Sequence, residues 1–149
     1  MALEQEVMQK MKEAMKAKDS VALASLRSIK SEILKVKTST SNKEDMDETE
    51  ELKLVQKLVK QRKDSAEVYL EQNRKDLADA ELAEVEVIEQ FLPAQLSEEE
   101  IDKEIKAIIQ DTGASTMKDM GKVMGMASQK LAGKADGKTI SKIVKDNLS

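Results

Sequence analysis

Cysteine, histidine and tryptophan are all missing from the 149 residues, and the aromatic side chains amount to one Phe and one Tyr. Without thiols there is no disulfide scaffold, no thiolate nucleophile and no Cys-based zinc site. Without imidazole the commonest general base and metal ligand is gone. A core has to come from aliphatic residues and the nine Met. Beta-branched runs in strict alternation are lacking too, whereas Ala, Leu, Lys, Glu and Met dominate, and these favour helix nearly everywhere. The expected fold class is all-α. No apolar run approaches the roughly 20 residues of a membrane span. The acidic start Met1-Ala-Leu-Glu-Gln-Glu6 is unlike a signal peptide. A soluble, cytoplasmic protein with no membrane partner is the expectation.

Proline and glycine are scarce and unevenly placed. Pro93 is the single proline, and all five glycines (Gly113, Gly121, Gly125, Gly133, Gly137) follow it. Pro93 disfavours helical geometry at Leu92, so a helix running through Phe91 must stop there. Ser97 then offers an N-cap, Glu100 completes a capping box, and Leu96 with Ile101 forms a hydrophobic staple. This divides the chain into an N-terminal helical domain, 1–92, of about four helices and a C-terminal three-helix domain, 93–149.

Helical spacing predicts a first helix over Leu3–Ala17 with Val7, Met8, Met11 and Met15 inward. A second, capped by Asp19 or Ser20, aligns Leu23, Leu26, Ile29, Ile33 and Val36. Residues 38–47 read as a polar, mobile joint, and an acidic patch (Glu44, Asp45, Asp47, Glu48, Glu50, Glu51) opens the third helix. The patch lacks the glycine turn of a calcium loop, and its acids suit a helix N-terminus. The third helix, about 48–73, aligns Val55, Leu58, Val59, Ala66 and Tyr69, with Arg62 in the middle of that stripe. The fourth, about 75–92, places Glu81 and Glu84 among Leu77, Val85, Ile88, Phe91 and Leu92. Charges on facing apolar stripes are costly unless they meet. They are therefore either a catalytic carboxylate or an internal ion pair, and a structural pair of Arg62 with Glu84 or Glu81 is expected. In the last part, Ile101, Ile105, Ile108 and Ile109 face inward from a fifth helix with Gly113 as C-cap. A sixth helix from Ser115 or Thr116 buries Met120, Val123, Met124, Ala127 and Leu131 and ends at Gly133. A seventh, capped by Asp136, buries Ile140, Ile143, Val144 and Leu148.

Charge sorts along this C-terminal part. Residues 93–111 hold two Lys against six acids, and 112–149 hold seven Lys against three. Lys118 and Lys122 share a face, Lys130 and Lys134 flank the end of the sixth helix, and Lys138 sits in the first turn of the seventh with Lys142 and Lys145 further along. Helix N-termini and lysines both attract phosphates, so the amides near Lys138 and the nearby Lys134 could converge on one. Gly121 and Gly125, four apart, predict a close approach by a neighbouring helix or a ligand backbone. Aromatic residues are absent from 93–149, so recognition here would read backbone shape rather than stacked bases. There is no Gly-rich phosphate loop, histidine triad or metal cluster. No catalytic residue, cofactor or metal is expected.

Five stretches carry a resemblance: Leu26-Arg-Ser-Ile-Lys-Ser-Glu-Ile33, Lys60-Gln-Arg-Lys-Asp-Ser-Ala-Glu67, Phe91-Leu-Pro-Ala-Gln-Leu-Ser-Glu-Glu-Glu-Ile101, Thr112-Gly-Ala-Ser-Thr-Met-Lys-Asp-Met-Gly-Lys-Val-Met-Gly125 and Leu131-Ala-Gly-Lys-Ala-Asp-Gly-Lys138. The chain resembles stand-alone members of the YqeY family, related to the tail domain of the GatB component of the glutamine-dependent aspartyl/glutamyl-tRNA amidotransferase. The resemblance implies a helical domain joined to a smaller three-helix tail domain that contacts tRNA. Carried over by position, Lys118, Lys122, Lys130, Lys134 and Lys138 become RNA-facing candidates. The expected function is a monomeric, non-catalytic module that binds tRNA or a tRNA-dependent enzyme. The alternatives are a protein–protein adaptor using Met117, Met120, Met124 and Met126, or the family-level carbon-nitrogen ligase activity with glutamine as amido-N-donor.

Overall fold

A computed structural model describes residues 2–39 and 46–149. Among them the regular elements are seven α-helices and one 3-10 turn, with no strand. Helices α1 (Ala2–Ala17), α2 (Ser20–Ser39), α3 (Glu48–Glu71) and α4 (Lys75–Glu89) lie in a compact unit, Met1–Leu92. Helices α5 (Glu98–Thr112), α6 (Met120–Lys130) and α7 (Gly137–Leu148) lie in a second, Pro93–Ser149. The joint expected at 38–47 falls mostly on residues 40–45, outside the described residues, as do Glu44 and Asp45 of the acidic patch.

In the first unit, α1 and α2 form a hairpin whose turn is set by Asp19: its carboxylate accepts the Ala22 amide at 3.1 Å. The unit has no glycine, yet two turns need left-handed backbone. Lys18 (φ 56°) supplies one after α1 and Asn73 (φ 58°) the other after α3. Asparagine tolerates that geometry, whereas lysine adopts it at a cost of about 1 kcal/mol. Asp47 caps α3, accepting the Glu50 amide at 2.8 Å while the Glu50 carboxylate accepts the Asp47 amide at 3.2 Å. The core gathers Leu3, Val7, Leu26, Ile29, Ile33, Val55, Leu58, Val59, Val85 and Ile88.

Three details depart from expectation in this unit. The buried line of α1 is Leu3, Val7 and Ala14 with Met11 half-buried, while Met8 and Met15 are exposed. The two lines have the same helical spacing and differ only in phase, which a stripe of flexible methionines does not resolve. Ser25, unremarked in the apolar pattern, is fully buried and satisfies its hydroxyl on the Val21 carbonyl at 2.9 Å. Helix α4 stops at Glu89, and Phe91 and Leu92 reach the core from a turn beyond it.

The second unit begins at Pro93. Ser97 caps α5 through the Glu100 amide at 3.2 Å, but the Glu100 carboxylate returns to the Ser97 hydroxyl at 3.1 Å, not to its backbone. The segment before it is tied to the turn after α6: the Leu96 amide donates to the Lys134 carbonyl at 2.9 Å and the Gln95 amide group to Gly133 at 2.6 Å. Gly113 ends α5 at φ 70°, where a Cβ would strain the backbone. A 3-10 turn, Met117–Asp119, precedes α6, and the Asp119 carboxylate accepts the Ser115 and Thr116 amides at 3.0 and 3.4 Å. Those bonds hold the Asp119 carboxyl below its ordinary value. Ile101, Ile105, Ile108, Val123, Ala127, Leu131, Ile140, Ile143, Val144 and Leu148 make the core.

Candidate functional site

With the apolar stripes of α6 and α7 turned onto α5, their polar faces and the turns before them carry the lysines. Lys118 lies in the 3-10 turn, Lys122 on the first turn of α6, Lys130 at its end, Lys134 in the following turn and Lys138 in the first turn of α7; all five are exposed. They are not equivalent. The Lys130 ammonium lies 2.8 Å from the Glu104 carboxylate. That contact lowers the Glu104 carboxyl, with a weaker contribution from Lys134, and raises the Lys130 ammonium, with a weaker contribution from Asp111, relative to their ordinary values. Lys118, Lys122, Lys134 and Lys138 have no carboxylate within 4 Å among the described residues.

The amides of α7 are less available than the spacing predicted. Asp136 accepts the Thr139 amide at 2.6 Å, and its carbonyl accepts that of Ile140. A carboxylate therefore already occupies this N-terminus, and a phosphate near it would be held by Lys134 and Lys138 rather than by the helix dipole. The glycine spacing also reads differently in three dimensions. A Cβ built on Gly121 or Gly125 meets nothing within 4 Å, so no neighbouring helix requires their small size. Both stand exposed beside Lys118 and Lys122. Met117 and Met126 are exposed as well, whereas Met120 and Met124 pack partly against the core.

In the first unit the Arg62 Nε lies 3.3 Å from the Glu84 carboxylate, with side chains 14% and 28% exposed. The Arg62 Nη1 also donates to the Leu58 carbonyl at 3.2 Å. The Nε is buried without a well-directed hydrogen bond, so the contact with Glu84 is an ion pair rather than a fork-to-fork bond. Glu81 is half-buried and makes no ion pair among the described residues. This arrangement ties α3 to α4.

A sequence model of the family described as "Yqey-like protein" matches residues 4–148. Three curated relatives share the name "Altered inheritance of mitochondria protein 41, mitochondrial". That of Lachancea thermotolerans is 39% identical over 102 residues, covering 66% of this chain and 54% of the relative. Those of Kluyveromyces lactis and Vanderwaltozyma polyspora are each 34% identical, covering 69% and 74% of this chain and 56% and 62% of theirs. The chain thus spans little more than half the length of these relatives. Their names overturn the cytoplasmic expectation, because all three are mitochondrial proteins. Among the described residues no helix is long and apolar enough to cross a membrane, but that property is shared by proteins of every aqueous compartment. With the family match running nearly end to end, the chain belongs to the Yqey-like protein family.

Proposed function

We propose that the chain is a monomeric, non-catalytic helical module whose C-terminal domain, 93–149, binds tRNA or a tRNA-bound enzyme through its lysine face, beside an N-terminal domain of four helices, 1–92. The observation that carries this reading is the set of exposed lysines, Lys118, Lys122, Lys134 and Lys138, that have no carboxylate within 4 Å among the described residues. Phosphate neutralisation releases counterions, so affinity for tRNA should fall steeply with salt. In filter-binding titrations Lys134→Glu and Lys138→Glu should each weaken binding and shrink the salt slope by about one. Lys145→Glu, further along α7, should do less, and Lys130→Gln least, since that ammonium is engaged by Glu104. Equal effects at all four positions, or salt-insensitive binding, would sink the reading.

One observation favours a second reading, a protein–protein adaptor. Met117 and Met126 are both 42% exposed, and methionine suits adaptable interfaces. Recovery of a protein partner after nuclease treatment, lost on Met126→Glu but kept on Lys138→Glu, would select it.

A further inference from the structure

The stretches Leu26–Ile33 and Lys60–Glu67 play no part in the lysine face, yet they meet. Residues of α2 and α3 line an open surface groove of about 550 Å³, among them Arg27, Ser28 and Ser31 from one helix and Gln61 and Arg62 from the other. We propose that this groove binds a phosphate group.

Four of the donors that line it, Arg27, Ser28, Ser31 and Gln61, are uncommitted among the described residues. Elsewhere on α2 the hydroxyls turn back on the helix: Ser25 on Val21, Thr38 on Leu34 and Ser39 on Val36. Ser28 and Ser31 make no such bond, and neither Gln61 nor Arg27 has a side-chain partner among the described residues. Arg62 is the fixed member. Its Nη1 is held by the Leu58 carbonyl and its Nε faces Glu84, while Nη2 donates no hydrogen bond within the described residues. The one carboxylate on the wall, Glu32, is engaged by Lys35 at 3.1 Å. With Lys35 paired to Glu32 and Arg62 to Glu84, Arg27 is the lining cation that has no carboxylate partner among the described residues, and two hydroxyls, a carboxamide and the Arg62 Nη2 stand beside it.

The shape of this donor set selects the anion. A planar carboxylate is satisfied by one guanidinium fork. Donors arriving from two helices, two of them hydroxyls three residues apart on the same face, suit the oxygens of a tetrahedral group, and guanidinium is the preferred partner for phosphate. No aromatic side chain lines it, so a nucleobase would have no stacking surface and the phosphate itself is what is recognised. The phosphate could belong to a small molecule or to an RNA backbone. The proposal does not depend on the lysine face, which shares no residue with the groove.

The test is residue-resolved amide NMR of the full chain, titrated with pyrophosphate, with a short single-stranded RNA and with acetate. Pyrophosphate or RNA should shift the resonances of Arg27, Ser28, Ser31 and Gln61. The exposed substitution Arg27→Gln should weaken that response about tenfold, the effect of losing one charge-assisted bond, and Ser31→Ala should weaken it less. Response to pyrophosphate identifies a small phosphorylated ligand, and response to RNA alone identifies a backbone phosphate. Shifts confined to the lysine face with RNA, no shift in the groove with either probe, an equal response to acetate, or a response untouched by Arg27→Gln would overturn the proposal.

Discussion

At the scale of single residues, the ion pair of Arg62 and Glu84 shows how partial exposure sets an interaction's worth. Sequence spacing places both among apolar residues, where leaving one partner alone would cost about 3–5 kcal/mol. At 14% and 28% exposure each charge keeps some contact with water, which lowers both the penalty and the gain. Arg62→Met should therefore destabilise the chain by about 1–3 kcal/mol, between the exposed and buried limits. The double variant with Glu84→Gln should recover about 1 kcal/mol of that loss. Urea unfolding of the four proteins in the cycle measures both quantities. A loss for Arg62→Met as large as the buried limit would mean that the pair is drier than its exposure indicates.

Helix α6 poses the element-scale question of why it keeps two exposed glycines, one in its first turn and one in its middle. Each glycine costs about 1 kcal/mol relative to alanine in a helix, and Gly121 and Gly125 have open space where a Cβ would sit. Neither carries a positive φ. Gly121→Ala and Gly125→Ala should each raise stability by about 0.5–1 kcal/mol, read as a higher urea midpoint. The opposite sign is expected at Gly113, where φ is 70° and Gly113→Ala should destabilise by about 1 kcal/mol. The two helix variants also report on function. If tRNA approaches the lysine face closely, alanine should weaken its binding while stabilising the fold. Stabilisation with unchanged tRNA affinity would exclude a backbone contact at these positions.

At the scale of the whole molecule, the two compact units are expected to differ in their response to acid. Asp102, held down by Asn147 and Lys106, Glu104, held down by Lys130, and Asp119, held down by the Ser115 and Thr116 amides, all lie in 93–149. Among the described residues of 1–92 the comparable carboxyl is Asp76, lowered by Arg74. A carboxyl depressed on folding contributes stability that is fully present above its unfolded value, here 3.8 for Asp and 4.5 for Glu. That contribution is lost as pH falls through the lower folded value. Between about pH 5 and 3, 93–149 should therefore lose more stability than 1–92. If the units are separate domains, as proposed, each should also unfold cooperatively when produced alone. Circular dichroism of the two pieces during urea titration at several pH values tests both points. A greater acid loss in 1–92 would contradict the first, and a piece without a cooperative transition would contradict the second.

Sequence alone determined the helices, because their signals are local. The 3.6-residue apolar period, the caps Asp19, Ser97 and Asp136, and the left-handed glycine at 113 act within a turn or two of the chain. It also supplied the composition from which an all-helical class follows. Tertiary structure decided whatever depends on neighbours distant in sequence. The phase of α1, with Leu3, Val7 and Ala14 inside and Met8 and Met15 outside, is set by the surface it packs on. Whether Gly121 and Gly125 touch another helix is a fact about α5 and α7 rather than about α6. Lys130 differs from Lys134 and Lys138 because Glu104, 26 positions earlier, happens to lie 2.8 Å away. The uncommitted donors of Arg27, Ser28, Ser31 and Gln61 become a single groove only when α2 and α3 are packed together. Periodicity names the residues on a face, but the charge, space and hydrogen bonds opposite that face are contributed by another part of the chain.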